Sequence, residues 1–251
     1  AGAAAPGGRT APPCPASTAV PACSPSQLAA VCGWARHFET AGWAVLRGLG
    51  VPQGVLCSAR CEAASLEESM VSGRTYGDEA KRRDRMLWLD RHTLAGCEGL
   101  RRLDELLHDL ACLFGRELER SPLGLRLASR EMAMLACYDE GGYFSPHKDG
   151  GSSRGEGEGN FEDRRVLTAV YYLTEGPWDR AHGGALRLRP EGADFVDVWP
   201  DGGTLVLFRA DELEHEVCLS RAKRWALTIW FQGARGADSA AAEAAGAARL
   251  Q

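Results

Sequence analysis

The chain has no surplus of positive charge: 29 Lys and Arg stand against 34 Asp and Glu, for a formal net charge of -5. That balance gives no electrostatic case for nucleic acid or an anionic membrane as partner. No apolar run approaches the roughly 18 residues that a membrane-spanning helix needs. A cysteine framework is missing too. The nine cysteines, at 14, 23, 32, 57, 61, 97, 112, 137 and 218, are odd in number and irregular in spacing, which argues against disulfide scaffolding. Cys57 and Cys61 lie one helical turn apart, yet no second Cys/His pair at zinc-finger spacing accompanies them. Buried or surface thiols in a reducing compartment, cytoplasmic or nuclear, are the expectation. There is no internal repeat.

What remains is ordinary globular chemistry. The 251 residues are 45% hydrophobic and 25% charged, enough for one domain with a sizeable core, working as a monomer. Residues 1–25 are built mostly from Ala, Pro, Gly, Ser and Cys, with Arg9 as the one charged residue, and are expected to be disordered. They lack the apolar centre of a secretory signal, while their want of acidic residues leaves an organelle transit segment open. A chain opening on Ala1 is also expected of a processed or trimmed fragment. Residues 234–251 read as an Ala-rich flexible tail, leaving 26–233 as the domain.

Within it, Ser24-Pro25-Ser26 offers caps for a helix over 26–41, and 43–49 reads as a first strand. A helix is expected over 53–70. Another covers 98–119, with Leu103, Leu106, Leu107, Leu110 and Leu113 at helical spacing. From 128 onward the pattern is short strands between Gly, Asp and Pro turns, as in an antiparallel barrel or jelly roll. Helices first and strands later make the class α+β, with a mainly β core and supporting N-terminal helices.

Alternation assigns faces to the strands. Over 224–231, Trp225, Leu227, Ile229 and Phe231 form an apolar face expected to pack under the helices; Arg224, Ala226, Thr228 and Trp230 form the other. Arginine and threonine on an inner face make sense if something polar lies inside. Over 166–173, Val166, Thr168, Val170 and Tyr172 share a face, and a buried Tyr172 hydroxyl would need a partner. Tyr138 ends the strand 132–138 and points the same way.

The chemistry gathers around His147-Lys148-Asp149. An extended backbone sets His147 and Asp149 on one side, and His215 follows 215 − 147 = 68 residues later. Two imidazoles and a carboxylate suit non-haem Fe(II) with open positions: two for a bidentate 2-oxo acid and one for O2. Arg224 comes 224 − 215 = 9 residues beyond the distal histidine. Its guanidinium grips a carboxylate in two-pronged fashion that lysine cannot imitate, and Thr228 on the same face could add a hydroxyl. A lone His-x-Asp is more often a solvated loop pair; the joint pattern is specific. His37, His92, His108 and His182 lack comparable partners and read as structural or exposed.

The motifs Met134-Leu-Ala-Cys-Tyr138, His147-Lys-Asp149, Val170-Tyr-Tyr-Leu173, Gly183-Gly184-Ala-Leu-Arg, Leu186-Arg-Leu-Arg-Pro-Glu-Gly192, and His215-Glu-Val217 with Arg224-Trp-Ala-Leu-Thr-Ile-Trp230 resemble the 2-oxoglutarate/Fe(II) prolyl 4-hydroxylases, and among them the hypoxia-inducible-factor prolyl hydroxylases. The likeness is close over 130–232 and looser over 26–129. It implies a double-stranded β-helix with Fe(II) on His147, Asp149 and His215, and Arg224 with Tyr172 on the C5 carboxylate of 2-oxoglutarate. It further implies Tyr138 near that co-substrate, with Met134, Val170, Leu186, Val217, Thr228 and Trp230 lining its pocket, and Arg165 helping to receive the substrate. O2 is the second co-substrate, ascorbate the expected reductant, and a proline-containing protein or peptide the expected partner, with a hypoxia response as one role.

Two departures fall at the substrate mouth: a long Gly- and acid-rich loop over 150–163, and Pro146 with an extra residue between Tyr143 and His147. Alternatives remain. A nucleic-acid demethylase usually carries a second arginine six residues past the first, where this chain has Trp230. A halogenase would leave a vacancy where Asp149 stands. A non-catalytic cupin-like module would explain a barrel but not an arginine and a tyrosine aimed at an anion.

Overall fold

Alternating segments bounded by tight turns dominate the second half of the chain, and they pair edge to edge into two sheets. The computed structural model describes residues 25–73, 81–150 and 164–236. Its elements in order are α1 (Pro25–Ala41), β1 (Trp43–Leu46), α2 (Gln53–Ser65), β2 (Val71–Ser72), β3 (Arg82–Arg83), β4 (Arg85–Trp88), α3 (Arg91–Ala95), α4 (Glu98–Arg120), β5 (Arg126–Arg130), β6 (Met134–Tyr138), β7 (Tyr143–His147), β8 (Arg165–Tyr172), β9 (Leu186–Arg189), β10 (Val196–Val198), β11 (Leu205–Arg209), β12 (Glu214–Val217) and β13 (Arg224–Ala234). The major, eight-stranded sheet runs β1-β11-β8-β13-β6-β4-β2, with β5 also on β13; the minor sheet is β10-β9-β12-β7-β3. This is the mainly β architecture of a double-stranded β-helix with helices laid against one sheet.

Two cores result. One lies between the helices and the major sheet, and takes Leu100, Leu103, Leu107 and Phe114 of α4 together with Leu227, Ile229 and Phe231 of β13. The other lies between the two sheets and takes Met134, Tyr138, Val170, Tyr172, Leu186, Val217, Ala226 and Trp230. Strand β13 thus serves both, one with each set of alternate residues, as its sequence requires.

The helical layer is fixed by charge as well as burial. Glu62 of α2 accepts hydrogen bonds from the Gly99 and Leu100 backbone N–H groups at 2.9 and 2.8 Å, so a carboxylate satisfies donors that the start of α4 would leave open. The helices cross closely there: a Cβ on Gly99 would lie 2.4 Å from the Ala59 nitrogen. Asp104 on α4 accepts both arms of Arg130 on β5, at 2.7 and 2.6 Å.

Three expectations need correction. The helix expected over 53–70 stops at Ser65 and gives way to a 3-10 turn, Glu67–Ser69. The Ser65 hydroxyl turns back to the Glu62 carbonyl at 2.7 Å, a local bond that competes with helix continuation. Glu67 is drawn instead to Arg85 and Lys223, 2.6 Å from each. Second, Val166 packs with the helix-side core rather than beside Thr168, because the pairing of β8 with β13 shifts register between Phe231 and Gln232 and a bulge changes the facing of the strand end. Third, the expected strand over 43–49 is not alone before 128: β2, β3 and β4 also extend the two sheets.

The seven cysteines among the described residues are all free thiols. No helix among those residues is long and apolar enough to cross a membrane. The expectations for 1–24, 151–163 and 237–251 lie outside the described residues.

Candidate functional site

Strand pairing assembles the triad. β7 ends on His147, β12 runs antiparallel beside it, and His215 stands directly opposite His147. Asp149 follows two residues after the end of β7 and sits between them: Asp149 Oδ1 is 3.5 Å from His147 Nε2, and Oδ2 is 3.5 Å from His215 Nε2. One ligand atom from each of the three residues lies within 4.8 Å of the others, and among the described residues this is the one such cluster of His, Cys, Asp and Glu.

The ring orientations are set from behind. His147 Nδ1 is 2.8 Å from the Ser145 carbonyl and His215 Nδ1 is 3.1 Å from the Leu213 carbonyl. A carbonyl only accepts, so Nδ1 is the donor in each ring, and that bond turns Nε2 toward Asp149. The Thr168 hydroxyl donates to Asp149 Oδ2 at 2.9 Å. Burial opposes the charge of Asp149, but the imidazoles of His215 and His147 more than offset it and hold the carboxyl well below its ordinary range. Burial lowers the pKa of His215, with His147 adding to the effect and Asp149 opposing it. An ionised carboxylate and a neutral imidazole are the protonation states a metal ion needs.

A stack of rings backs the cluster. Phe144 lies on His147 with centroids 3.6 Å apart and planes at 18°. The Arg82 guanidinium is 4.2 Å from the centroid of the Phe144 ring, and Arg82 is itself held by the buried carboxylate of Asp84.

Against two tyrosines of the core between the sheets lies a buried cation. Arg224, at the start of β13, is 1% exposed, and no ion pair among the described residues involves it. Its Nη1 donates to the Gly184 carbonyl at 2.6 Å, and its guanidinium carbon lies 4.8 and 5.1 Å from the ring centroids of Tyr138 and Tyr172. Arg224 Nε and the Tyr172 hydroxyl are buried without hydrogen-bond partners. Burial raises the pKa of Tyr172, with Arg224 opposing, and burial likewise raises that of Tyr138. A buried guanidinium without a carboxylate is costly; an anionic ligand carrying a carboxylate would meet both open groups. The donor set of the triad fits Fe(II), and the orphaned groups around Arg224 fit the far carboxylate of 2-oxoglutarate.

The other expected residues fall around this centre. Thr228 pairs with Met134 on one side and Val170 on the other. Met134, Val170, Leu186, Val217 and Trp230 are buried in the core between the sheets. Arg165 is held by Glu131 through two bonds of 2.6 Å, with its guanidinium carbon 4.3 Å from the Trp230 ring. The remaining described histidines stay out of the cluster: His37 packs on Trp43, His108 on Phe231 and His182 on Trp178, and His92 closes the last turn of α3. Sequence reasoning did not assign Thr168, Phe144 or Arg82 to the site. Thr168 had a signal, its place on the inward face of the 166–173 pattern; the stack behind His147 had none.

Comparison with known proteins agrees with this chemistry. The model of the 2OG-Fe(II) oxygenase superfamily matches residues 133–232. Mouse prolyl hydroxylase EGLN3 is 33% identical over 173 residues, covering 66% of this chain and 66% of that protein, just under two thirds of its length. The crystal structure of a Pseudomonas putida prolyl-4-hydroxylase superposes with a TM-score of 0.63 at 25% identity, over 81% of this chain and 98% of that one. A Trichoplax adhaerens prolyl hydroxylase, in complex with a hypoxia inducible factor oxygen degradation domain peptide fragment, shares the fold with a TM-score of 0.68 at 22% identity, over 84% of this chain and 94% of that one.

Proposed function

We propose that this chain, similar over 133–232 to the 2OG-Fe(II) oxygenase superfamily and 33% identical to a prolyl hydroxylase, is a 2-oxoglutarate/Fe(II) oxygenase that hydroxylates the 4-position of a proline in a protein or peptide, consuming O2 and converting 2-oxoglutarate to succinate and CO2. The observation that carries this reading is the His147–Asp149–His215 cluster, together with a buried Arg224 set against Tyr138 and Tyr172 of the inter-sheet core and lacking a carboxylate partner among the described residues. Fe(II), when bound there, supplies the means to activate O2 and oxidise a C–H bond, the step that side chains alone cannot perform.

His147, Asp149 and His215 hold the metal, with Thr168 and the Ser145 and Leu213 carbonyls fixing their directions. Arg224 and Tyr172 bind the C5 carboxylate of 2-oxoglutarate, Tyr138 and Thr228 flank it, and Met134, Val170, Leu186, Val217 and Trp230 keep water from the reacting centre. Arg165, steadied by Glu131, helps to receive the substrate. Ascorbate serves as reductant for metal oxidised in unproductive turnovers. The protein acts as a monomer in the cytoplasm or nucleus, without nucleic acid or membrane as partner. A role in oxygen sensing rests on relatives such as one named hypoxia-inducible factor prolyl hydroxylase, from Caenorhabditis elegans.

The test is mass spectrometry of proline-containing peptides incubated with the protein, Fe(II) and 2-oxoglutarate. A single-oxygen addition on proline, matched by succinate and lost when either Fe(II) or 2-oxoglutarate is withheld, is expected. Full activity in His147→Ala or Asp149→Ala would overturn the ligand assignment, and oxidation of a different residue would overturn the substrate class.

A further inference from the structure

The Arg224 guanidinium donates to the Gly184 carbonyl, and the origin of that carbonyl's own orientation lies further out. Gly183 and Gly184 both adopt left-handed backbone, φ 64° and 71°. Neither tolerates a side chain: a Cβ on Gly183 would lie 2.4 Å from the Leu219 carbonyl, and one on Gly184 would lie 2.8 Å from Ser220 Oγ and 3.3 Å from Arg224 Cδ. The tight fit demands glycine, and two consecutive glycines are the most torsionally permissive dipeptide a chain can contain. Left alone, they would let the Gly184 carbonyl wander.

The peptide joining them is clamped at both ends. Its N–H, on Gly184, donates to the Leu219 carbonyl at 2.9 Å. Its carbonyl, on Gly183, accepts from the indole Nε1 of Trp178 at 2.8 Å. Trp178 is anchored in turn, since its backbone N–H donates to Asp201 Oδ1 at 2.8 Å and its ring meets His182 edge to face. With that peptide fixed, only rotations within Gly184 remain between it and the carbonyl that Arg224 grips.

We propose that Trp178 is a positioning residue for co-substrate binding: its indole N–H fixes the Gly183–Gly184 peptide, and thereby aims the Arg224 guanidinium at the far carboxylate of 2-oxoglutarate. The proposal rests on the reading of Arg224 as the anchor for that carboxylate. It assigns Trp178 no contact with substrate or metal.

The experiment compares two chelating ligands on Mn(II)-loaded protein without O2, by calorimetry. On the anchor reading 2-oxoglutarate would engage both the metal and Arg224, whereas oxalate could chelate the same metal but has no far carboxylate to offer Arg224. Trp178→Phe keeps an aromatic ring and removes the donor. It should weaken 2-oxoglutarate about three- to tenfold, the size of one neutral hydrogen bond, and leave oxalate and Mn(II) affinity unchanged. Equal weakening of both ligands would reduce Trp178 to a general structural role, and no weakening of either would remove it from the pathway; both results overturn the proposal. An Arg224→Lys variant that binds 2-oxoglutarate as well as the parent does would instead sink the anchor reading itself. A measurement on the unaltered protein covers the case in which Trp178→Phe fails to fold. Binding couples reciprocally, so exchange of the Trp178 indole N–H should slow with 2-oxoglutarate bound and not with oxalate, and equal exchange in the two complexes would overturn the proposal.

Discussion

Thr168→Val tests the smallest part of the site with the sharpest consequence. Thr168 is fully buried on β8, and its hydroxyl donates to Asp149 Oδ2 at 2.9 Å. Valine has nearly the same shape, so the substitution opens no cavity and removes only the donor. A hydrogen bond to a charged group contributes about 1.5–3 kcal/mol. Taking about 2 kcal/mol, at 1.4 per factor of ten, metal affinity should fall roughly 30-fold, within the roughly 10- to 100-fold range typical of groups that orient metal ligands. The assay is anaerobic Fe(II) or Mn(II) titration against a competing chelator, with thermal melting of the metal-free protein as a check on folding. Thr168→Ser restores the hydroxyl and should recover affinity to within about threefold of the parent. A folded Thr168→Val protein whose metal affinity moves less than about twofold would refute the claim that this hydroxyl holds Asp149 in place.

Other outcomes follow from the same geometry. Arg224→Lys should raise the 2-oxoglutarate requirement for succinate formation about 10- to 100-fold, because lysine cannot match a two-pronged grip on a carboxylate. Asp104→Ala removes the carboxylate that Arg130 grips between α4 and β5, and denaturant unfolding should show a loss of about 3 kcal/mol. Glu67 lies below its ordinary value of 4.5, held there by hydrogen bonds from Lys223 and Arg85. Its folded pKa is depressed, so its contribution is complete above that ordinary value and fades as pH falls through the lower, folded one. Glu67→Gln should therefore flatten the loss of stability below about pH 4.5, and an unaltered acid limb in pH-dependent melting would contradict this.

The parts of the site that were legible in the sequence are those written at short range or in strict alternation. His147 and Asp149 share a side because one residue separates them, and β13 declares two faces because nearly every residue on one of them is apolar. The faces fail at Val166, where a bulge alters the count without any mark in the local composition. β2, β3 and β4 were illegible because they are only two to four residues long, too short to show an alternation, and are strands only by virtue of their neighbours. Thr168, Phe144 and Trp178 work through partners 19, 3 and 5 residues away in the chain, reached across turns whose geometry is set by the sheets. The expected helix over 53–70 was cut short by ion pairs from Glu67 to residues that only the fold brings near.

β13 belongs to two cores at once, and this has a consequence for how the chain can change over time. Inserting or deleting a single residue within it would exchange its faces, sending Trp225 and Leu227 toward the anion site and Arg224 into hydrocarbon. A change of two residues would preserve the faces and displace only the ends. Descendants of this chain should therefore tolerate many point replacements along β13 yet almost no odd change in its length, and variation in length should collect in the connections between strands, where parity carries no meaning.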